Sequence, residues 1–188
     1  MNSDTSEFIN AIQPVKSDVI QTAQQYQYGE PVDPLIRILS YNASEWESFI
    51  EEWVYSLESE YRRVLRFTGS ADKGVDVAGF KDQNELKGVW SNYQCKHYAD
   101  PIAFGDISGE IGKMIWHSFD GKFNAPKQCF FVSPRGASTQ LALLLSNAPN
   151  LKEKIKEEWG NSVAKKITTK RTITLNGKFL SYFDSYDF

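Results

Sequence analysis

The stretch GSADKGVDVAGFKDQNELKGVWSNYQCKHY, Gly69 to Tyr98, decides how the rest of the chain is read. Two apolar runs, Val75–Phe80 and Val89–His97, carry the β-branched and aromatic residues of strands. The polar connection KDQNELKG between them suits an antiparallel hairpin. Side chains alternate across a sheet with period two. Asp76, Ala78 and Phe80 therefore share one face of the first strand, and Val75 and Val77 take the other. On the second strand Gln94 and Lys96 share a face, with Cys95 and His97 opposite. A hairpin in this phase brings Asp76 to Gln94 and Lys96 at the mouth of the sheet.

Working outward, a helix precedes the hairpin. Ser44 with Glu47 three residues on has capping-box spacing, and Trp46, Phe49, Ile50, Trp53, Val54 and Leu57 recur at helical intervals. A further strand is expected at Val64–Phe67, followed by the turn TGSADKG, in which Asp72 is a turn former. Beyond the hairpin, FGDISGEIGKMIWHSF predicts a helix, with His117 on its surface. KQCFFVSP predicts a strand buried on both faces. ASTQLALLLSN and LKEKIKEEWG predict helices, and KKITTKRTITLNGKFLSYF alternates like one or two late strands. Helix, three strands, helix, strand, helix is the order of an α/β sandwich around a mixed sheet. Residues 1–40 are expected to form an N-terminal helical extension, with a short helix over Asp18–Tyr28, and 41–188 the main domain.

Composition bounds the function. A chain of 188 residues with 14% aromatics holds one domain with a real core. No apolar run approaches bilayer length and MNSDTSEF is no signal peptide, so a cytoplasmic protein is expected. Cys95 and Cys129 lack zinc spacing and are expected to be reduced and buried in strands. GSADKGVD has neither the spacing nor the ending of a phosphate-binding loop, which excludes nucleotide hydrolysis of that kind.

One carboxylate, one amide oxygen and one ammonium at a strand end suit a hard dication beside a positive charge. Mg²⁺ takes oxygen ligands, keeps several waters and is held by one or two carboxylates. Asp76 and Gln94 are the candidate ligands, joined by the backbone carbonyl of Cys95. Asp76 alone anchors a dication weakly, so a second carboxylate is expected from Glu47 on the Trp-rich helix, with Glu51 in reserve. Lys96 is the candidate catalytic cation, orienting water and stabilising developing charge. A net charge of −3 does not favour a nucleic-acid partner. The segment KKITTKR offsets this locally, with Lys165, Lys166, Lys170 and Arg171 as candidate phosphate contacts.

ADKGVDV followed by YQCKHY resembles the PD-(D/E)xK nuclease superfamily, in the Mrr-like restriction endonuclease branch that carries Q-x-K. The likeness covers roughly Ser44 to Ser133. It implies a restriction-endonuclease-like sandwich in which Asp76 binds metal, Gln94 and Lys96 are the Q-x-K pair, and Glu47 in EWESF is the helix carboxylate. It further implies Mg²⁺-dependent phosphodiester hydrolysis, usually of DNA, with Mn²⁺ as a substitute. Double-stranded DNA is the expected substrate, and because no residues that read a base sequence are identified, little sequence specificity is expected. An effector domain of a prokaryotic antiphage or restriction system is expected. Its partners would be a second copy or larger assembly and a sensor or ATPase domain or subunit. The alternatives are a catalytically silent nuclease-like fold that binds nucleic acid or protein, and a different metal-dependent hydrolase acting on RNA.

Overall fold

The alternation around Asp76 becomes a four-stranded sheet in the computed structural model, which describes residues 29, 32–57, 59–69 and 73–187. Its strands are β1 (Arg63–Arg66), β2 (Val77–Phe80), β3 (Trp90–Cys95) and β4 (Gln128–Val132), in that spatial order. β1, β2 and β3 run antiparallel, with Val77 opposite Tyr93 and Phe80 opposite Trp90, so the expected hairpin is present. β4 pairs with β3 in parallel. Parallel neighbours need a crossover.

The helices are α1 (Pro34–Leu39), α2 (Ala43–Tyr55), α3 (Phe104–Phe119), α4 (Thr139–Leu145), α5 (Ala148–Glu157), α6 (Ala164–Ile167) and α7 (Gly177–Ser185). Short turns of other helix types lie at Glu85–Lys87 and Trp159–Val163. α3 is the crossover between β3 and β4. The chain is a mixed α/β protein with a mixed sheet. It divides into two units, Met1–Asp33 and Pro34–Phe188, and the elements above all belong to the second. The helix expected at Asp18–Tyr28, and the turn residue Asp72, lie outside the described residues.

The phase of the hairpin is set by what each face buries. Val77, Tyr93 and Cys95 pack with Trp46, Ile50 and Val54 of α2. Ala78, Phe80 and Trp90 pack on the other side with Met114 of α3, Phe123 and Val75, which was expected on the Val77 face but lies before β2, where the alternation does not hold it. A third cluster joins Ile107, Ile111 and Ile115 of α3 to Leu151, Ile155, Trp159, Phe179 and Phe183 of the C-terminal helices. A slip of one residue would put Asp76, Gln94 and Lys96 into the α2 core.

Three expectations are corrected. The cap of α2 is Asn42, not Ser44: the Asn42 side chain accepts from the Glu45 N–H, and Glu45 accepts from the Asn42 N–H. Both frames fit the capping-box spacing, and Asn and Ser cap about equally well, so local cap preference does not separate them. Glu47 is thereby released from any cap. β4 is not buried on both faces, since Gln128 to Phe130 are exposed and Phe131 and Val132 half-buried. It has a strand neighbour on one side only among the described residues, and α2 packs mainly over β1, β2 and β3. Cys129 is accordingly exposed whereas Cys95 is buried. Finally, KKITTKRTITLNGKFLSYF contains no strand among the described residues. It forms α6, an irregular run over 168–176 anchored where Trp159 Nε1 donates to the Ile173 carbonyl at 2.9 Å, and α7. Phe179 and Phe183, four residues apart, bury a helical stripe instead of alternating.

A candidate metal centre at the ends of β2 and β3

Asp76 stands one residue before β2, where the ladder to β1 closes with the Phe67 N–H donating to its carbonyl at 2.7 Å. Its side chain is buried on the α3 side of the sheet. One carboxylate oxygen, Oδ2, accepts from Gln94 Nε2 at 2.5 Å and from the Cys95 N–H at 2.7 Å. Burial pushes the Asp76 carboxyl up to about 6. The Cys95 N–H and the Lys96 charge pull it back, while Glu47 and Glu110 push it further up.

Gln94 is 3% exposed. Only its NH₂ can face a carboxylate, which turns Oε1 the other way, and there Oε1 is buried without a hydrogen-bond partner among the described residues. An unpaired buried carbonyl costs about 1–3 kcal/mol. Asn92, two residues earlier on the same face, shares this condition at Oδ1, while its Nδ2 reaches the Gly74 carbonyl at 3.3 Å. Only Gln94 is bonded to a carboxylate. The Cys95 group seen at Asp76 is its N–H, and its carbonyl is the other half of the same residue's backbone.

Lys96 lies on the Gln94 face, as the alternation required. Its ammonium sits 3.2 Å from Glu110 Oε1, and Lys113 Nζ sits 3.0 Å from Glu110 Oε2. Glu110 feels burial first, which raises its carboxyl, but the two lysines outweigh it and hold the group below its usual range. The turn before Asp76 packs on the same place. Gly74 has φ +84°, and a Cβ there would lie 3.0 Å from Lys113 Cβ and 3.3 Å from Glu110 Oε2. A residue with a side chain is disfavoured at this position twice over.

The two helix carboxylates separate cleanly. Glu51 pairs with Arg66 Nε at 3.5 Å, and the same guanidinium donates to Ser48 Oγ at 2.9 Å and the Ser44 carbonyl at 3.3 Å. Glu47 is half-buried, and its charge acts on both Asp76 and the Cys95 thiol. Burial, then Asp76 and Glu47, push the Cys95 thiol far above its usual range. His97 is half-buried, its Nε2 lies 2.9 Å from the Ile38 carbonyl and its ring stands edge-on to Trp46. Cys95 and His97 are thus packing residues and not a nucleophile pair. His117 is half-buried against Phe123 instead of lying on the helix surface.

Among the described residues no three His, Cys, Asp or Glu side chains gather closely enough to hold an ion by themselves. The donor set is instead one buried carboxylate, one amide oxygen without a partner among the described residues, and the Glu47 carboxylate, whose charge is felt at Asp76. That set fits Mg²⁺, which takes few carboxylates and keeps its waters.

The basic segment does not join this centre. Lys166 Nζ donates to the Gly105 carbonyl at 2.5 Å and approaches Ser108 Oγ at 3.4 Å, and its stem lies against Gly109, where a Cβ would be 2.7 Å from Lys166 Cβ. Arg171 lies over the Trp116 ring at 5.1 Å. Lys165, Lys170 and Arg171 line a groove of about 900 Å³ with Lys156 and Trp159. At 100° per residue, Gly105, Gly109 and Trp116 occupy a stripe of α3 roughly 120° from Glu110 and about 60° from Lys113. Sequence reading missed Glu110, Lys113, Arg66 and Asn92. The one local signal was the i,i+3 pair in GEIGK, which solvated helices also carry.

No protein-family model, curated protein or solved structure matches the chain.

Proposed function

We propose that this chain is a Mg²⁺-dependent endonuclease of restriction-endonuclease-like architecture, cutting DNA phosphodiester bonds with little sequence specificity. The observation that carries the reading is the buried Asp76–Gln94 pair, an ionisable carboxylate bonded to an amide whose Oε1 has no partner among the described residues, with Lys96 two residues further on. A core that needed only packing would fill these positions with apolar side chains, since unpaired buried polarity costs stability. The likeness of ADKGVDV and YQCKHY to the Q-x-K nucleases extends the proposal to an effector domain of an antiphage or restriction system.

Asp76, Gln94 Oε1, the Cys95 carbonyl and Glu47 are the groups that would hold the ion. Bound there, Mg²⁺ would neutralise phosphate charge and lower the pKa of a water. Gln94 has a second task, because its NH₂ fixes the Asp76 carboxylate and leaves the amide oxygen without a partner among the described residues. Lys96 brings a positive charge that is half-buried and so acts in a lower dielectric than bulk water. That charge stabilises the extra negative charge of the transition state more than the ground state. Glu47, near enough for its charge to be felt at Asp76, supplies the second negative charge that a dication needs.

The test is incubation of the full chain with supercoiled plasmid, linear duplex and single-stranded DNA, with and without Mg²⁺ or Mn²⁺. Metal-dependent nicking that Asp76→Ala removes is the expected result. Wild-type cleavage by Asp76→Ala would sink the assignment.

A further inference from the structure

We infer that Glu110 and Lys113 are a positioning pair for Lys96: Glu110 fixes its ammonium in the resting protein, and Lys113 lets it leave for a phosphate without stranding the carboxylate. This rests on the nuclease reading of the same site. The geometry is particular. Lys96 and Lys113 take different oxygens of one carboxylate, at 3.2 and 3.0 Å, so neither displaces the other. The three side chains are 11%, 17% and 25% exposed in the order Lys96, Glu110, Lys113.

A one-to-one buried ion pair is a poor holder for a catalytic cation. Withdrawing one partner leaves an uncompensated buried charge, which is strongly destabilising. Here the carboxylate keeps an ammonium after Lys96 turns to the substrate. The group of three carries one net positive charge, the sign a phosphate diester seeks. The pair also meets the turn that delivers Asp76. Any Cβ at Gly74 would press on the Lys113 stem and Glu110 Oε2, at 3.0 and 3.3 Å, and Asn92 Nδ2 tethers the Gly74 carbonyl. Lys96 and the Asp76 turn are therefore referred to one point on α3.

The two roles predict a non-additive pattern. Glu110→Gln frees Lys96 from its orientation and should lower kcat roughly 10-fold with KM within about 2-fold, a misplacement effect. Lys113→Met leaves Glu110 with Lys96 as sole partner, so the cation is held back and kcat should fall by a similar factor. In the double variant nothing holds Lys96 back, and kcat should return to the Glu110→Gln value instead of falling by the product. Glu110→Asp, which keeps the charge, should recover part of the loss. Steady-state nicking of supercoiled plasmid with Mg²⁺, beside thermal melts of each full-length variant, reads all of this. Losses that multiply, or Glu110→Gln at the wild-type kcat, overturn the positioning role while leaving the nuclease reading standing. A wild-type chain inert with Mg²⁺ and Mn²⁺ overturns both. Should Glu110→Gln fail to fold, Lys113→Met decides: lower kcat at an unchanged melting temperature supports the pair, and unchanged kcat overturns it.

Discussion

Two polar regions of this molecule invite a functional reading, and they differ in what they cost. Around Asp76 the polar groups are buried and incompletely satisfied, with a carboxyl pushed up to about 6 and an amide oxygen without a partner among the described residues. Along 165–171 most of the charges are exposed and cost little, and two of them are already used locally, Lys166 on the α3 backbone and Arg171 on Trp116. Exposed charge is the default state of a protein surface. Buried, underpaired polarity opposes folding and persists where something else requires it. The contrast teaches that the centre at β2 and β3 is the stronger functional signal, although the basic run is the more conspicuous one in the sequence.

The largest effect belongs to Lys96. Lys96→Ala should lower cutting by about 10²–10⁴-fold, the usual loss for a positioned catalytic group. Gel shifts in Ca²⁺ should still show DNA binding, because one cation among several contributes modestly to it. Lost binding with unchanged cleavage at saturating protein would make Lys96 a docking residue.

Asp76 comes next, and its effect on stability carries a sign. The folded carboxyl titrates at about 6 against 3.8 for the ordinary group. Folding therefore takes up a proton between about pH 4 and 6, and the metal-free protein loses stability as pH rises through that window. Asp76→Asn removes this slope. At pH 7 the variant should be more stable than the metal-free parent by about 1–3 kcal/mol, since each tenfold change in proton affinity is worth about 1.4 kcal/mol. The two should converge near pH 4 in urea melts, and Mg²⁺ should raise the stability of the parent alone. A variant less stable than its parent at pH 7 would mean that Asp76 is a structural carboxylate.

Glu47 and Glu51 offer a finer cut. Glu47→Gln should raise the Mg²⁺ concentration for half-maximal activity about 10-fold, whereas Glu51→Gln should leave it unchanged and loosen only the Arg66 clamp. The reverse outcome would move the helix ligand by one turn. The smallest effect should come from the basic run. Lys165→Ala with Lys170→Ala should lower the salt slope of DNA binding by at most about 0.9 per phosphate contact and leave kcat at saturating DNA unchanged. A large fall in kcat would show that the two regions act as one surface.

Much of the centre was legible because period two is rigid. Once Val75–Phe80 and Val89–His97 are strands of one hairpin, the face shared by Asp76, Gln94 and Lys96 follows from counting, and α2 against α3 decides which face is which. Glu110 was not legible. It lies 14 residues beyond Lys96, on a helix whose rotation about its own axis depends on the packing of Ile107, Ile111 and Ile115 against the C-terminal helices. The cap frame was ambiguous because Asn42/Glu45 and Ser44/Glu47 have the same spacing. The alternation in KKITTKRTITL was misleading, since an extended run becomes a strand only where a neighbouring strand offers its free N–H and C=O groups.

The sequence alone determined the two strands of the hairpin, their alternation and which three side chains share a face at their ends. These follow from local periodicity, which one chain segment carries by itself. Tertiary structure decided everything that depends on two segments meeting. It committed Glu51 to Arg66 and left Glu47 to act on Asp76, and it turned Lys166 into a tether of α3. It also placed Glu110 and Lys113 against Lys96, through distances that no spacing along the chain encodes.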